Sequence, residues 1–344
     1  MGACARRIAV VPVGIQASSL RAPRAGAAAR RMPSPHAPPS RLEPLVSRVK
    51  PPPFEYLAPR SLDEAVAALA EHGDEAKAMA GGQSLVPLLA FRLARPSVIV
   101  DLNGIGGLDG ARLDGDTLEV GALTRQRDVE RLPGLRERCP MIVEAIEQVG
   151  HVAIRNRGTV GGSLAHADPA AEWTALALAL DAELDLVGPG GARTVPAAEF
   201  LISYFTTALE PGELLTGLRL NVPNGRSGSC FLELARRHGD FAIAGVGALV
   251  TLDGEGSVGD ARVALIGVGE RAVRVAAAEE LLRGRRPTAE LFAEAAAAVQ
   301  AELDPNSDVH ATADYRRHVA GVLVRRALAT AVGRAGGGDR DGAA

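Results

Sequence analysis

The chain has 344 residues, 47% hydrophobic and only 3% aromatic, enough to bury sizeable cores divided over two or three domains. Its 38 basic residues against 41 acidic ones leave a net charge of −3, which supplies no whole-chain field for holding nucleic acid. Cys4, Cys139 and Cys230 lie far apart without C-x-x-C spacing, so no zinc or iron–sulfur site is legible and free thiols in a reducing cytosol are expected. The longest apolar run, 241–252, is too short to span a bilayer.

Residues 1–48 differ in kind from the rest. They carry Arg6, Arg7, Arg21, Arg24, Arg30, Arg31, Arg41 and Arg48 against Glu43 alone, with no sustained hydrophobic period. Such a segment cannot bury enough to order itself, so a disordered extension is expected, or one lying upstream of a true start near Val49. From Tyr56 the pattern becomes globular. Ser61-Leu62-Asp63-Glu64 has capping-box spacing, and Leu62, Ala65, Val66 and Leu69 continue at helical intervals to a stop at Gly73.

A short stretch, 76–79, then leads into Ala80-Gly81-Gly82-Gln83-Ser84 and an apolar run over 85–91. Strand-like segments at 98–102 and 117–121 flank a turn-rich span, and 141–149 reads as helix. A second double-glycine loop follows, Thr159-Val160-Gly161-Gly162-Ser163. Asp168-Pro169 reads as a helix opening into 173–180, with Asp168 as N-cap, and 183–187 with 192–195 reads as a hairpin around Gly188-Pro189-Gly190-Gly191. After Pro223-Asn224-Gly225 come strands over 241–252 and 261–267 and alanine-rich helices over 275–282, 289–303 and 315–332. The mixture predicts an α+β protein with ligand where the units meet.

The two glycine loops carry the functional reading. Gly-Gly permits positive φ and close backbone approach, so consecutive N–H groups can converge on phosphate oxygens as an anion-binding nest. One such pair marks a turn; two matched pairs point to one long anionic ligand held from two sides. Gly267-Val268-Gly269-Glu270-Arg271-Ala272 fits a shortened dinucleotide fingerprint, but no second βαβ unit with a ribose-binding acid accompanies it, and a structural turn is expected there. His166 and Asp168 form an acid–base pair only if their segment is a strand. Arg155 and Arg157 either offset a diphosphate charge or are solvated.

The segments Ala80-Gly81-Gly82-Gln83-Ser84-Leu85-Val86-Pro87, with Arg92-Leu93-Ala94-Arg95-Pro96 after it, and Arg155-Asn156-Arg157-Gly158-Thr159-Val160-Gly161-Gly162-Ser163-Leu164-Ala165-His166-Ala167-Asp168-Pro169 resemble the FAD-binding medium subunit of the molybdenum hydroxylases, the xanthine dehydrogenase and aerobic carbon monoxide dehydrogenase type. The resemblance runs from about Pro51 to about Arg334. It implies a two-subdomain FAD-binding fold of the PCMH type over 49–225, with subdomains of about 49–103 and 104–225. A smaller α+β C-terminal domain over 226–334 and a disordered tail over 335–344 would follow.

It further implies that FAD is held by Ala80, Gly81, Gly82, Gln83, Ser84, Leu85, Thr159, Val160, Gly161, Gly162, Ser163, His166, Asp168, Glu172, Tyr204, Phe205 and Leu215, with no catalytic or metal-ligating residue in the chain. Relatives have Asp where Glu172 stands, holding the ribitol or ribose region, and place an aromatic against the isoalloxazine ring near Tyr204 or Phe205. The segment Arg236-Arg237-His238-Gly239-Asp240-Phe241 resembles another family segment near the cofactor. The implied partners are a molybdopterin-binding large subunit and a [2Fe-2S] small subunit in a cytoplasmic dimer of heterotrimers, this chain passing electrons to an external acceptor. A stand-alone FAD-dependent oxidase of similar fold, or a non-enzymatic nucleotide-binding or assembly protein, is the alternative.

Overall fold

The computed structural model describes residues 50–222 and 224–337; the expectations for 1–48 and for most of the tail fall outside them. The first subdomain holds β1 (Glu55–Leu57), α1 (Leu62–His72), β2 (Ala76–Met79), α2 (Leu85–Ala90) and β3 (Val98–Asp101). Ser61 caps α1 by accepting from the Glu64 N–H, and Glu64 returns a bond to the Arg60 N–H, one residue earlier than the usual box. Gly73, at φ +51°, ends the helix. The strands form a parallel sheet in the order β1-β3-β2. Central β3 buries Val98, Ile99 and Val100, and the small core that contains Val98 and Val100 also takes in Leu123 and Leu214 from the second subdomain.

That subdomain is built on a five-stranded antiparallel sheet. It comprises β4 (Ala111–Asp114), β5 (Thr117–Gly121), α3 (Gln126–Glu130), α4 (Leu135–Arg138), α5 (Pro140–Gln148), α6 (Val152–Arg155), α7 (Val160–His166), α8 (Glu172–Ala179), β6 (Glu183–Gly188), β7 (Gly191–Pro196), α9 (Ala197–Phe200), a two-stranded hairpin of β8 (Leu201–Ser203) and β9 (Thr206–Thr207), and β10 (Leu214–Asn221). The sheet order is β4-β5-β10-β6-β7. Helix α8 is buried all round, every residue from Glu172 to Ala179, which is why its sequence shows no polar face.

Asp168 does not cap α8, contrary to the sequence reading. Its Oδ1 accepts from the Ala170 N–H two residues on, closing a local turn, and the helix begins three residues later with Ala171 at the N-cap.

The C-terminal part forms a four-stranded antiparallel sheet, β11 (Ser227–Leu234), β12 (Ala244–Leu252), β13 (Val258–Ile266) and β14 (Val273–Arg274), with α10 (Ala276–Leu282), α11 (Ala289–Glu302) and α12 (Ala313–Ala335). Antiparallel strands usually alternate buried and wet residues; β12 is buried almost throughout because both faces of this sheet are covered. Val246, Val250 and Val263 pack with Leu323, Val324 and Leu328 of α12, while Phe231, Leu249 and Ile266 join the core containing Trp173 of α8 and Met141 and Ile142 of α5. Gly267 is the structural turn expected of it: at φ +73° it donates its N–H to Pro169 O, and a Cβ there would lie 2.8 Å from Ile243 O.

Cys139 and Cys230 are buried free thiols, and burial pushes each up to about 11. No helix among the described residues is long and apolar enough to cross a membrane.

Candidate cofactor site

The first glycine segment is a bend between the end of β2 and the start of α2. The N–H groups of Gly81, Gly82, Gln83 and Ser84 have no acceptor among the described residues, and Gly82 sits at φ +71°. Successive free donors around a left-handed residue are the geometry of an anion nest. The bend is pinned from outside. Asn103 donates to Ala80 O at 2.8 Å and to Asp101 Oδ1 at 2.5 Å; Arg125 donates to Asn103 Oδ1 at 2.7 Å and to Arg157 O at 2.6 Å. The Tyr56 hydroxyl closes the chain on Asp101. A cavity of about 500 Å³ opens beside Asn103, Thr124 and Arg125.

None of Tyr56, Asp101, Asn103 and Arg125 was singled out in the sequence. Asp-x-Asn at the end of β3 was the available signal, since such residues bond their own backbone at turns; here the Asp101 carboxylate accepts from the Asn103 N–H.

The second segment is not a second nest. Thr159 caps α7 through a bond from the Gly162 N–H, and the glycines lie inside the helix. Every N–H from Val160 to Ser163 is already donated: Val160 to Thr124 O, Gly161 to Ala122 O, Gly162 to Thr159 Oγ1, Ser163 to Thr159 O. Its glycines serve closeness. A Cβ on Gly161 would lie 2.5 Å from Ala122 Cβ and 2.7 Å from Ala122 O, and one on Gly162 would meet Thr159 Oγ1 at 2.6 Å and Ala80 Cβ at 3.5 Å. A Cβ on Gly81, across the junction, would overlap the Arg157 carbonyl and lie 2.8 Å from Gly158 Cα. The two segments are therefore pressed together, one with free donors and one with side chains stripped away.

Around this junction the expected site residues divide. Ala80 to Leu85 and Gly162 come together as described, and Ser163 is half-buried beside Gly162. At the other end of α7, His166 faces Phe205 with ring centroids 5.0 Å apart, and burial holds its imidazole below the usual range against the opposing pull of Asp168. No hydrogen bond joins His166 to Asp168, whose carboxylate serves the Ala170 turn instead. Tyr204 and Phe205 form the exposed tip of the β8–β9 hairpin. Val160 and Leu215 are buried among core side chains.

Glu172 is buried too, and its carboxyl is pushed up to about 8, first by burial and then by the neighbouring charge of Glu233, itself raised by burial. The arginines are settled differently from the diphosphate reading. Arg155 is buried, with Nε on Glu130 at 2.9 Å and Nη1 on Val149 O and Gly150 O at 3.2 Å each, so it ties α6 to α3 and α5. The Arg157 side chain is exposed, while its backbone is engaged, the N–H by Ile154 O and the carbonyl by Arg125.

Four consecutive free N–H groups and a wall where no Cβ fits suit the diphosphate of a dinucleotide lying along the junction. Residues 52–224 match the family described as FAD binding domain in molybdopterin dehydrogenase, and 229–331 match the CO dehydrogenase flavoprotein C-terminal domain. The chain is similar, at 43% identity over 83% of its length and 97% of the relative's, to the 6-hydroxypseudooxynicotine dehydrogenase complex subunit alpha of Paenarthrobacter nicotinovorans.

Its structure superposes with a TM-score of 0.80 on a chain of carbon monoxide dehydrogenase from Hydrogenophaga pseudoflava, at 40% identity over 83% of this chain and 99% of that one. It superposes at 0.78 on a chain of quinoline 2-oxidoreductase from Pseudomonas putida 86, at 37% identity with the same coverage. A cradle built for an anion, a matched pair of family domains and near-complete coverage of relatives named as dehydrogenase subunits converge on one assignment. The chain is an oxidoreductase subunit whose cofactor is FAD, and it belongs to the family of FAD-binding medium subunits of the carbon monoxide dehydrogenase and xanthine dehydrogenase type.

Proposed function

We propose that this chain passes electrons from the [2Fe-2S] clusters of a small partner subunit to an external acceptor, while a molybdopterin-binding large subunit oxidises the substrate, the whole forming a cytoplasmic dimer of heterotrimers. When bound, FAD supplies an acceptor of two electrons that releases them singly or in pairs. The protein's work is to hold it, tune it and leave an edge within reach of each redox partner.

In this reading the N–H groups of Gly81 to Ser84 hold the diphosphate, with Ala80 and Leu85 framing them. Thr159, Val160, Gly161, Gly162 and Ser163 would form the opposing wall; His166, Asp168 and one of Tyr204 and Phe205 would lie near the ring system; Glu172 would take the ribitol or ribose region, and the backbone at Leu215 would lie near the flavin. The observation that carries the reading is the run of unused donors at 81–84 set against a helix whose own donors are spent. The test is purification of the native complex with flavin, molybdenum and iron analysis, paired with dye-reduction assays. The flavin-loaded single chain is expected to reduce no dye with xanthine, carbon monoxide or aromatic aldehydes. Turnover of an organic substrate by the single chain, unaffected by partners, overturns the proposal in favour of a stand-alone oxidase.

A further inference from the structure

The aromatic tip of the β8–β9 hairpin is held in a conformation it would not choose. Phe205 sits at φ +50°, in the left-handed region that bulky side chains avoid, and such strain persists only where the surroundings over-determine it. Its N–H is donated to Ala167 O at 3.2 Å, and Ala167, at the end of α7, is itself left-handed at φ +49°. Within the hairpin the Thr206 hydroxyl donates to Tyr204 O, and further constraints come from the C-terminal sheet and its loops. Arg271 donates to Leu201 O at 2.5 Å at the base of the hairpin, and the Asn306 amide donates to the Tyr204 hydroxyl at 2.9 Å at its tip.

Asn306 is presented from a fixed place. Two residues on, Asp308 Oδ1 accepts from the His310 and Ala311 N–H groups at 2.8 and 2.9 Å, and its Oδ2 accepts from Arg316 at 2.7 Å. Arg316 is buried and also donates to Ile243 O at 2.7 Å and Gly267 O at 2.8 Å, so the loop is fastened to the ends of β12 and β13. The Ser307 hydroxyl accepts from the Ala313 N–H. The next residue of the tip, Phe205, lies against His166, the last residue of the helix that begins with the glycine wall.

We propose that Asn306 is a positioning residue: its bond to Tyr204 locks the aromatic tip 204–205 in place beside the flavin, so that the C-terminal part of the chain sets how firmly the ring system is held. The inference rests on the cofactor reading above. It is tested on the purified holocomplex with Tyr204→Phe, Asn306→Leu, the two combined, and Asn306→Gln, which keeps an amide.

The readouts are the flavin-to-protein ratio, the visible circular dichroism of the flavin bands, the rate of flavin release into chaotropic salt, and the thermal midpoint. Each single change is expected to speed flavin release about three- to tenfold, the scale of one neutral hydrogen bond, and to alter the flavin dichroism while the ratio as purified stays near wild type. The double variant is expected to go no further than either single, because both remove one bond, and Asn306→Gln to recover part of the effect. Flavin release that multiplies in the double variant, or an unchanged flavin signature with only a lowered thermal midpoint, overturns the inference while leaving the cofactor reading intact. A wild-type complex without flavin overturns both.

Discussion

At Gly81 to Ser84 four consecutive N–H groups lack an acceptor among the described residues, whereas at Val160 to Ser163 each is already given to Thr124, Ala122 or Thr159. In the first segment glycine supplies chiefly conformation: Gly82 is left-handed within the row of donors, while Gly81 also lies against the Arg157 carbonyl. In the second it supplies absence, letting α7 lie directly on the end of β5, with Gly161 on Ala122 and Gly162 facing Ala80. Identical dipeptides thus do opposite jobs, one offering donors to a ligand and the other consuming its donors to bring a wall close. A nest has to be counted by its free hydrogens and not by its glycines.

Substitutions should separate the two roles. The largest effect is expected at the contact glycines. Gly161→Ala drives a methyl into the Ala122 backbone and Gly81→Ala into the Arg157 carbonyl, neither of which can rotate aside. Overpacking of this kind costs about 1–3 kcal/mol, so both variants should unfold several degrees earlier in a thermal melt, with or without added FAD. A smaller and different loss is expected at Gly82. A side chain there is strained by about 1–2 kcal/mol and meets Val86 Cγ2 at 3.2 Å, so Gly82→Val should melt a few degrees earlier and, in addition, lose flavin from the complex. Gly82→Asn should keep more flavin, since Asn tolerates the left-handed region. Equal loss for Asn and Val would break the conformational account.

Thr159→Val comes next: it removes the acceptor of the Gly162 N–H at constant shape and should cost about 1 kcal/mol, the usual size of an N-cap, read in a denaturant melt. A pH slope is expected on the α8 side. Burial and the Glu233 charge raise the Glu172 carboxyl from 4.5 to about 8, with Asp168 pushing the same way and Arg155 opposing. The folded protein therefore holds a proton that the unfolded chain releases above 4.5. That contribution to stability is complete below 4.5, falls as pH rises, and is gone above about 8. Melting temperatures across this window should decline less steeply in Glu172→Gln than in wild type.

What could be read from the sequence was what local chemistry decides. The Ser61 cap and the Gly73 stop predicted α1 to the residue, and the hairpin of β6 and β7 closes on the two residues between Gly188 and Gly191 as its glycines indicate. The first glycine segment was legible for the same reason. The second was misread because its acceptors, Ala122 O and Thr124 O, lie more than 30 residues back, and nothing in Thr-Val-Gly-Gly-Ser records that its donors are spent. The sequence left Arg155 open between a diphosphate partner and a solvated side chain, and it is neither, because its partner, Glu130, lies 25 residues away. Strand β11 escaped notice because its first residues are Ser-Gly-Ser, chosen by close approach: a Cβ on Gly228 would overlap the Ala331 carbonyl of α12.

The C-terminal sheet, covered on one face by α12 and on the other by α5 and α8, bears on how such chains can change over time. The family boundary falls between residues 224 and 229, yet the apolar core does not stop there: Phe231, Leu249 and Ile266 belong to the same packed cluster as Trp173 and Met141. Recombination between relatives at that connection would join two half-cores that had never been fitted to each other. Exchange of the whole segment 52–335 keeps the facing side chains of these cores together, whereas exchange at the linker alone makes a mosaic with a seam through the shared core.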